Sequence, residues 1–157
     1  MIGGLSEGRG GGVTAVGASM PLVGWLPASA VATRDARDVG PASESMAGLV
    51  PTPRNAATLA VGMCRDDPTL VGAGMDERVV TPARAKLVTG YDAVRDAALA
   101  AGATGVTVSG AGPAMLAPCP EPDRRHVAAA MVDAFAEAGV ESRAYQTRVS
   151  SGATLYE

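Results

Sequence analysis

A chain of 157 residues with 47% hydrophobic and 18% charged content is long enough to bury one core and too apolar to be disordered, so one globular domain is expected. Its net charge of −3, with basic residues scattered along the chain, argues against nucleic acid or an anionic membrane as a partner, and no apolar run approaches the roughly 20 residues of a spanning helix. With only 3% aromatic residues, the core has to be built from Val, Leu, Met and a great deal of Ala.

The glycine-dense opening, Met1 to Gly12, reads as a loop or hairpin tip. A strand is predicted at Val13 to Val16 and a stronger one at Pro21 to Leu26, whose nearly continuous apolar run suits a strand covered on both faces; a hairpin would join them. The stretch from Met20 to Ala30 imitates a secretory signal, but Pro21 and Pro27 interrupt it and Glu7 precedes it, so a cytoplasmic chain is expected.

From Ser43 the pattern turns helical. Pro51 and Pro53 break it, and Thr52-Pro53 restarts a helix that runs to about Cys64. Asp66-Asp67-Pro68 reads as a helix end and restart, not a metal pair, because no further carboxylate is near in sequence. A short segment then reaches Gly72 to Gly74. Thr81-Pro82 repeats the cap-and-proline device and places Arg84 in the first turn of another helix. Between Arg84 and Ala101, the residues Leu87, Val88, Tyr91, Val94, Ala97, Ala98 and Ala101 form one helical stripe, weakened at Gly90 and stopped at Gly102.

Two short strands follow, Val106 to Val108 and Ala114 to Ala117, joined by Ser109-Gly110-Ala111-Gly112-Pro113. A last helix spans Pro122 to Ala138 with Val127, Met131, Ala134 and Phe135 inward, and strands are predicted at Ser142 to Thr147 and Ala153 to Tyr156. Hairpins in place of regular βαβ crossovers predict an α+β ferredoxin-like sandwich, an antiparallel sheet with helices on one face.

Few residues suggest chemistry. Lys86 is the only lysine, which excludes a Walker-type phosphate lysine. Cys64 and Cys119 lack ligand or disulfide spacing and read as small buried residues; His126 reads as a solvated helix residue. The glycines after Ser109 free the backbone to aim N–H groups at an anion, although the same residues equally serve a tight turn between strands.

Taken whole, Gly102 to Pro113 resembles the glycine-rich third motif of the GHMP kinases. Pro27, Thr33-Arg34-Asp35-Ala36-Arg37, the segment from Asp76 to Arg84 and the SGAGP loop then follow the order and spacing of the C-terminal half of the homoserine kinases, over essentially the whole chain. That resemblance implies a homoserine pocket lined by Thr33, Arg37 and Arg84, the arginines holding the substrate carboxylate as bidentate forks, with Arg37 on a loop. It implies that Ser109, Gly110, Ala111 and Gly112 support the nucleotide phosphate loop. The implied reaction moves the ATP γ-phosphoryl group to L-homoserine, giving O-phospho-L-homoserine for threonine biosynthesis, with Mg2+.

The family's nucleotide loop and its HADN-type segment do not occur in this sequence, so residues 1–157 are expected to be the C-terminal domain without the nucleotide-binding half, catalytically incomplete alone. Partners then include L-homoserine and either a separate N-terminal half or a second copy of the chain. Two alternatives stand beside this: another GHMP small-molecule kinase, since the SGxGP loop is shared, or a non-catalytic amino-acid-binding module.

Overall fold

The apolar run after Met20 becomes an inner strand of a sheet. A computed structural model describes residues 20–28 and 33–149. It contains β1 (Pro21–Pro27), α1 (Thr33–Asp38), α2 (Met46–Leu49), α3 (Pro51–Arg65), α4 (Pro68–Gly74), α5 (Val80–Ala85), α6 (Tyr91–Ala100), β2 (Thr107–Val108), β3 (Met115–Pro118), α7 (Arg124–Glu137) and β4 (Ser142–Arg148). The sheet order is β2-β3-β1-β4, antiparallel throughout. Four strands with helices in the spans before β2 and after β3 give the ferredoxin-like arrangement expected from the pattern. The strands predicted at Val13 to Val16 and Ala153 to Tyr156, and the opening loop, lie outside the described residues.

Among the described residues, the two faces of β1 are unequally covered. Val23 and Trp25 are buried, while Leu26 on the opposite face is 51% exposed. The reason is layering: α7 packs on β1 and β4, and α6 packs on α7, so the apolar cover lies on one side. Val127, Met131, Ala134 and Phe135 of α7 all point inward as the periodicity requires.

The core differs from the composition-based expectation. No leucine is among the fully buried described residues, and the chain's single tryptophan and single phenylalanine, Trp25 and Phe135, stack with ring centroids 3.4 Å apart and planes 11° from parallel. Burying two such rings contributes about 1.5–3 kcal/mol each, more than any alanine around them. Among the described residues the buried Trp25 indole N–H has no hydrogen-bond partner.

α3 also departs from expectation, since it packs on α4 instead of joining the layer against the sheet. A Cβ at Gly62 would meet the Val71 nitrogen at 2.6 Å, and one at Gly74 the Leu59 nitrogen at 2.5 Å, so the two helices touch backbone to backbone. Between them Asp66 takes the left-handed conformation that ends α3, and the Asp67 carboxylate caps α4 by accepting from the Thr69 and Leu70 amides at 2.9 and 3.1 Å. Cys119 is buried, but Cys64 lies on the outer side of α3 and is exposed, because α3 buries only a narrow stripe against α4.

Candidate functional site

The β2–β3 connection is a closed hairpin loop. The Ser109 amide donates to the Ala114 carbonyl at 2.7 Å and the Gly112 amide to the Ser109 carbonyl at 3.0 Å. Gly110 and Gly112 have φ of 59° and 85°, where a side chain would be strained, and the space beside the Gly110 α-carbon is open to 4 Å. The loop therefore presents bare backbone outward, with Ala111 half-buried at its tip.

Across from it stands α5, six residues long. Sequence places a threonine cap at Thr81, but the cap is supplied by Glu77. Its Oε1 accepts from the Val79 amide at 2.7 Å and its Oε2 from the Val80 and Thr81 amides at 2.8 and 2.5 Å. Burial alone pushes this carboxyl up, and the three amides together with the Thr81 side chain more than reverse that, leaving its pKa below the ordinary value. Thr81 lies inside the helix, its hydroxyl 3.4 Å from the Thr107 hydroxyl on β2.

Arg84 falls in the last turn of α5, not the first, because the helix begins before the threonine. From there the guanidinium donates through Nη1 to the Gly110 carbonyl at 2.7 Å and through Nε to the Ala36 carbonyl on α1 at 3.3 Å. One side chain thus ties α1 to the glycine loop, over sequence separations of 48 and 26 residues. Thr33 is the first residue of α1, and Arg37, exposed, is in its last turn, on a helix where a loop was expected.

Arg84 therefore brings two segments singled out from sequence to one corner, α1 through the Ala36 carbonyl and the loop of Ser109 to Gly112 through the Gly110 carbonyl. The missed contributors are Glu77 and Asn55. Asn55 is a buried polar residue of α3 whose Nδ2 donates to the Asp76 carbonyl at 2.6 Å, fixing the approach to α5. An acidic residue just ahead of Val79-Val80-Thr81 was the available signal for Glu77; nothing local marks Asn55.

A cleft among the described residues lies elsewhere. It measures about 870 Å³ and is lined by Glu77, Thr81, Lys86, Tyr91, Arg95 and Val106 among others, and neither Arg84 nor the glycine loop borders it. It shares only α5 and its cap with the corner where Arg84 meets α1 and the glycine loop. His126 is exposed on α7, as expected of a solvated helix residue. Cys119 is buried, and burial first, with the nearby Asp123 and Glu121 adding to it and Arg124 opposing, pushes its thiol pKa up and so disfavours the thiolate.

Among the described residues no three His, Cys, Asp or Glu side chains stand close enough to share a metal ion. The glycine loop does fit the neighbourhood of a phosphate, with bare backbone and room beside it. No described helix is long and apolar enough to cross a membrane.

Residues 59–138 match the family model described as "GHMP kinases C terminal". The chain is 64% identical to the homoserine kinase of Haloquadratum walsbyi over 99% of its own length and 54% of that protein, and 62% identical to that of Halorubrum lacusprofundi over 100% and 54%. It thus spans about half the length of the curated relatives it matches. Among solved structures, it is similar to homoserine kinase from Cytophaga hutchinsonii with a TM-score of 0.81 and 31% identity, over 87% of this chain and 44% of that one. The mevalonate kinase of L. major, in complex with R-mevalonate, shares the fold at a TM-score of 0.62 and 14% identity, over 90% of this chain and 45% of that one.

Proposed function

This chain belongs to the GHMP kinase family, as its C-terminal domain, and from that premise we propose that it is the acceptor-binding half of a homoserine kinase. The whole enzyme transfers the ATP γ-phosphoryl group to the hydroxyl of L-homoserine, giving O-phospho-L-homoserine on the route to threonine. Phosphoryl transfer depends on positioning and on charge stabilisation. The part given to this chain is the first, with Arg84, Arg37 and Thr33 holding the acceptor and Ser109, Gly110, Ala111 and Gly112 backing the phosphates.

The observation that carries this reading is the double reach of Arg84, to Ala36 and to Gly110. A guanidinium has five N–H donors, and two bonds leave donors over for a carboxylate at a half-exposed corner beside a loop suited to phosphates. The acceptor would thereby be held by its carboxylate, leaving its hydroxyl free to face the phosphoryl donor. ATP supplies the transferred group when bound. Its main phosphate cradle and the ligands of Mg2+ are assigned to a nucleotide-binding half outside residues 1–157.

Two measurements test the proposal. Isothermal titration of the chain with Mg-ATP is expected to give no binding at micromolar concentrations, and binding there would put a nucleotide site in this half. Fused behind the N-terminal half of the Haloquadratum walsbyi homoserine kinase, the chain is expected to form ADP in the presence of L-homoserine. A fusion that binds ATP yet ignores L-homoserine sinks the reading.

A further inference from the structure

Glu77 has no assigned part in binding, yet the corner hangs on it. α5 is too short to persist on its own hydrogen bonds, and its first amides need acceptors from outside the helix. Val79, at the N-cap position, offers no side-chain acceptor. The Glu77 carboxylate alone answers three of those amides. Glu77 is itself held from behind, since Asn55 grips the carbonyl of the preceding residue, Asp76. A line of contacts therefore runs from α3 through Asp76 and Glu77 into α5, and from Arg84 to both α1 and the glycine loop.

We infer that Glu77 is a positioning residue: by capping α5 it fixes the Arg84 guanidinium between the Ala36 and Gly110 carbonyls, and so sets how firmly the corner holds an acceptor carboxylate. The last clause rests on the function proposed above; the positioning of Arg84 does not. The physical reason is length. In a helix of six residues there is no interior turn to isolate the last from the first, so fraying at Val79 to Thr81 reaches Arg84, and the 2.7 Å bond to Gly110 tolerates little displacement.

Asp67 provides an internal control. Its carboxylate caps α4 in a comparable way, but α4 packs on α3 and β3 and carries no residue of the corner. A generic loss of stability from an uncapped helix is therefore separable from a specific loss at the loop.

Amide hydrogen exchange on this chain decides the positioning role, comparing the unaltered protein with Glu77→Gln, Arg84→Ala and Asp67→Ala, the last because alanine removes the α4 cap outright. The Ser109 and Gly112 amides, both bonded within the loop, are expected to exchange about 10-fold faster in Glu77→Gln, close to the Arg84→Ala value, and within about twofold of the unaltered protein in Asp67→Ala. The amides of α7 report the global fold and are expected to stay protected in all four. Unchanged loop exchange in Glu77→Gln, or equal acceleration in Asp67→Ala, overturns the inference. If Glu77→Gln does not fold, Glu77→Asp, which keeps the charge and shortens the reach, must loosen the loop amides more than those of α7; equal loosening overturns it as well.

Kinetics of the fused enzyme then test the consequence. Glu77→Gln is expected to raise the Michaelis constant for L-homoserine about fivefold, leave that for ATP within about twofold, and add less than about twofold to Arg84→Ala. Fully additive losses would mean that Glu77 does not act through Arg84. A fusion without homoserine turnover removes the proposed function only, and the exchange result still decides whether Glu77 positions Arg84.

Discussion

Around the Trp25–Phe135 stack the protein is held by area, and around Arg84 by direction. The first region is buried on every side, with Val23, Met115, Val127 and Met131 fully enclosed. The second is half-exposed and rests on two guanidinium bonds, one hydroxyl pair and the Glu77 cap. Area is forgiving of small displacements and costly to remove. Directional bonds are cheap to lose in stability but exacting in geometry, so damage to the first region should appear as unfolding and damage to the second as lost binding.

The largest break in that contrast is Phe135→Ala, expected to cost about 3–5 kcal/mol of stability because the Trp25 ring loses its partner in a closed space. Urea unfolding followed by tryptophan fluorescence measures it directly, since Trp25 is the only tryptophan. A cost under about 1 kcal/mol would show that the stack is not the centre of the core.

At the corner, Arg84→Ala in the fused enzyme should lose about 2–5 kcal/mol in kcat/KM for L-homoserine, and Arg84→Lys less, because an ammonium keeps the charge but not the fork. The Michaelis constant for ATP should barely move in either. Unchanged homoserine kinetics in both variants would make Arg84 a brace between Ala36 and Gly110 and nothing more.

Asp67→Ala sharpens the comparison from the other side. Loss of the α4 cap should cost about 1 kcal/mol, which lowers the thermal midpoint by about 2–4 °C in a chain of this size, without altering homoserine kinetics. Altered kinetics at equal fold would contradict the separation of the two regions.

The smallest expected effect is that of pH. The Glu77 carboxyl has a depressed pKa in the folded protein, so its contribution is fully present above the ordinary glutamate value and fades as pH falls through the folded pKa below it. Arg78, the nearest arginine in sequence, is engaged by Asp76 and not by Glu77. Loop protection should therefore be flat from pH 7 down to the ordinary glutamate range and decline only below it, and in Glu77→Gln that acid decline should be gone. A decline already at pH 6 would point to a different group.

Most of the elements could be read from the sequence because their causes are local. The α7 stripe follows from a 3.6-residue period, the ends of α3 and α4 from Asp66-Asp67-Pro68, and the β2–β3 hairpin from glycines that alone tolerate the φ values at 110 and 112. Resemblance over Thr33 to Arg37, Asp76 to Arg84 and Gly102 to Pro113 likewise found the segments that meet at the corner. Tertiary structure alone decided what those segments do to one another. A period cannot say that α3 turns Cys64 outward and packs on α4, that the two faces of β1 are unequally covered, or that the one tryptophan finds the one phenylalanine. Nor could any local rule give Arg84 its two carbonyl partners or Asn55 its grip on Asp76, because those bonds join positions 21 to 48 residues apart and exist only once helices and sheet have packed. Periodicity and capping act within a few residues, whereas these contacts are fixed by where whole elements come to rest.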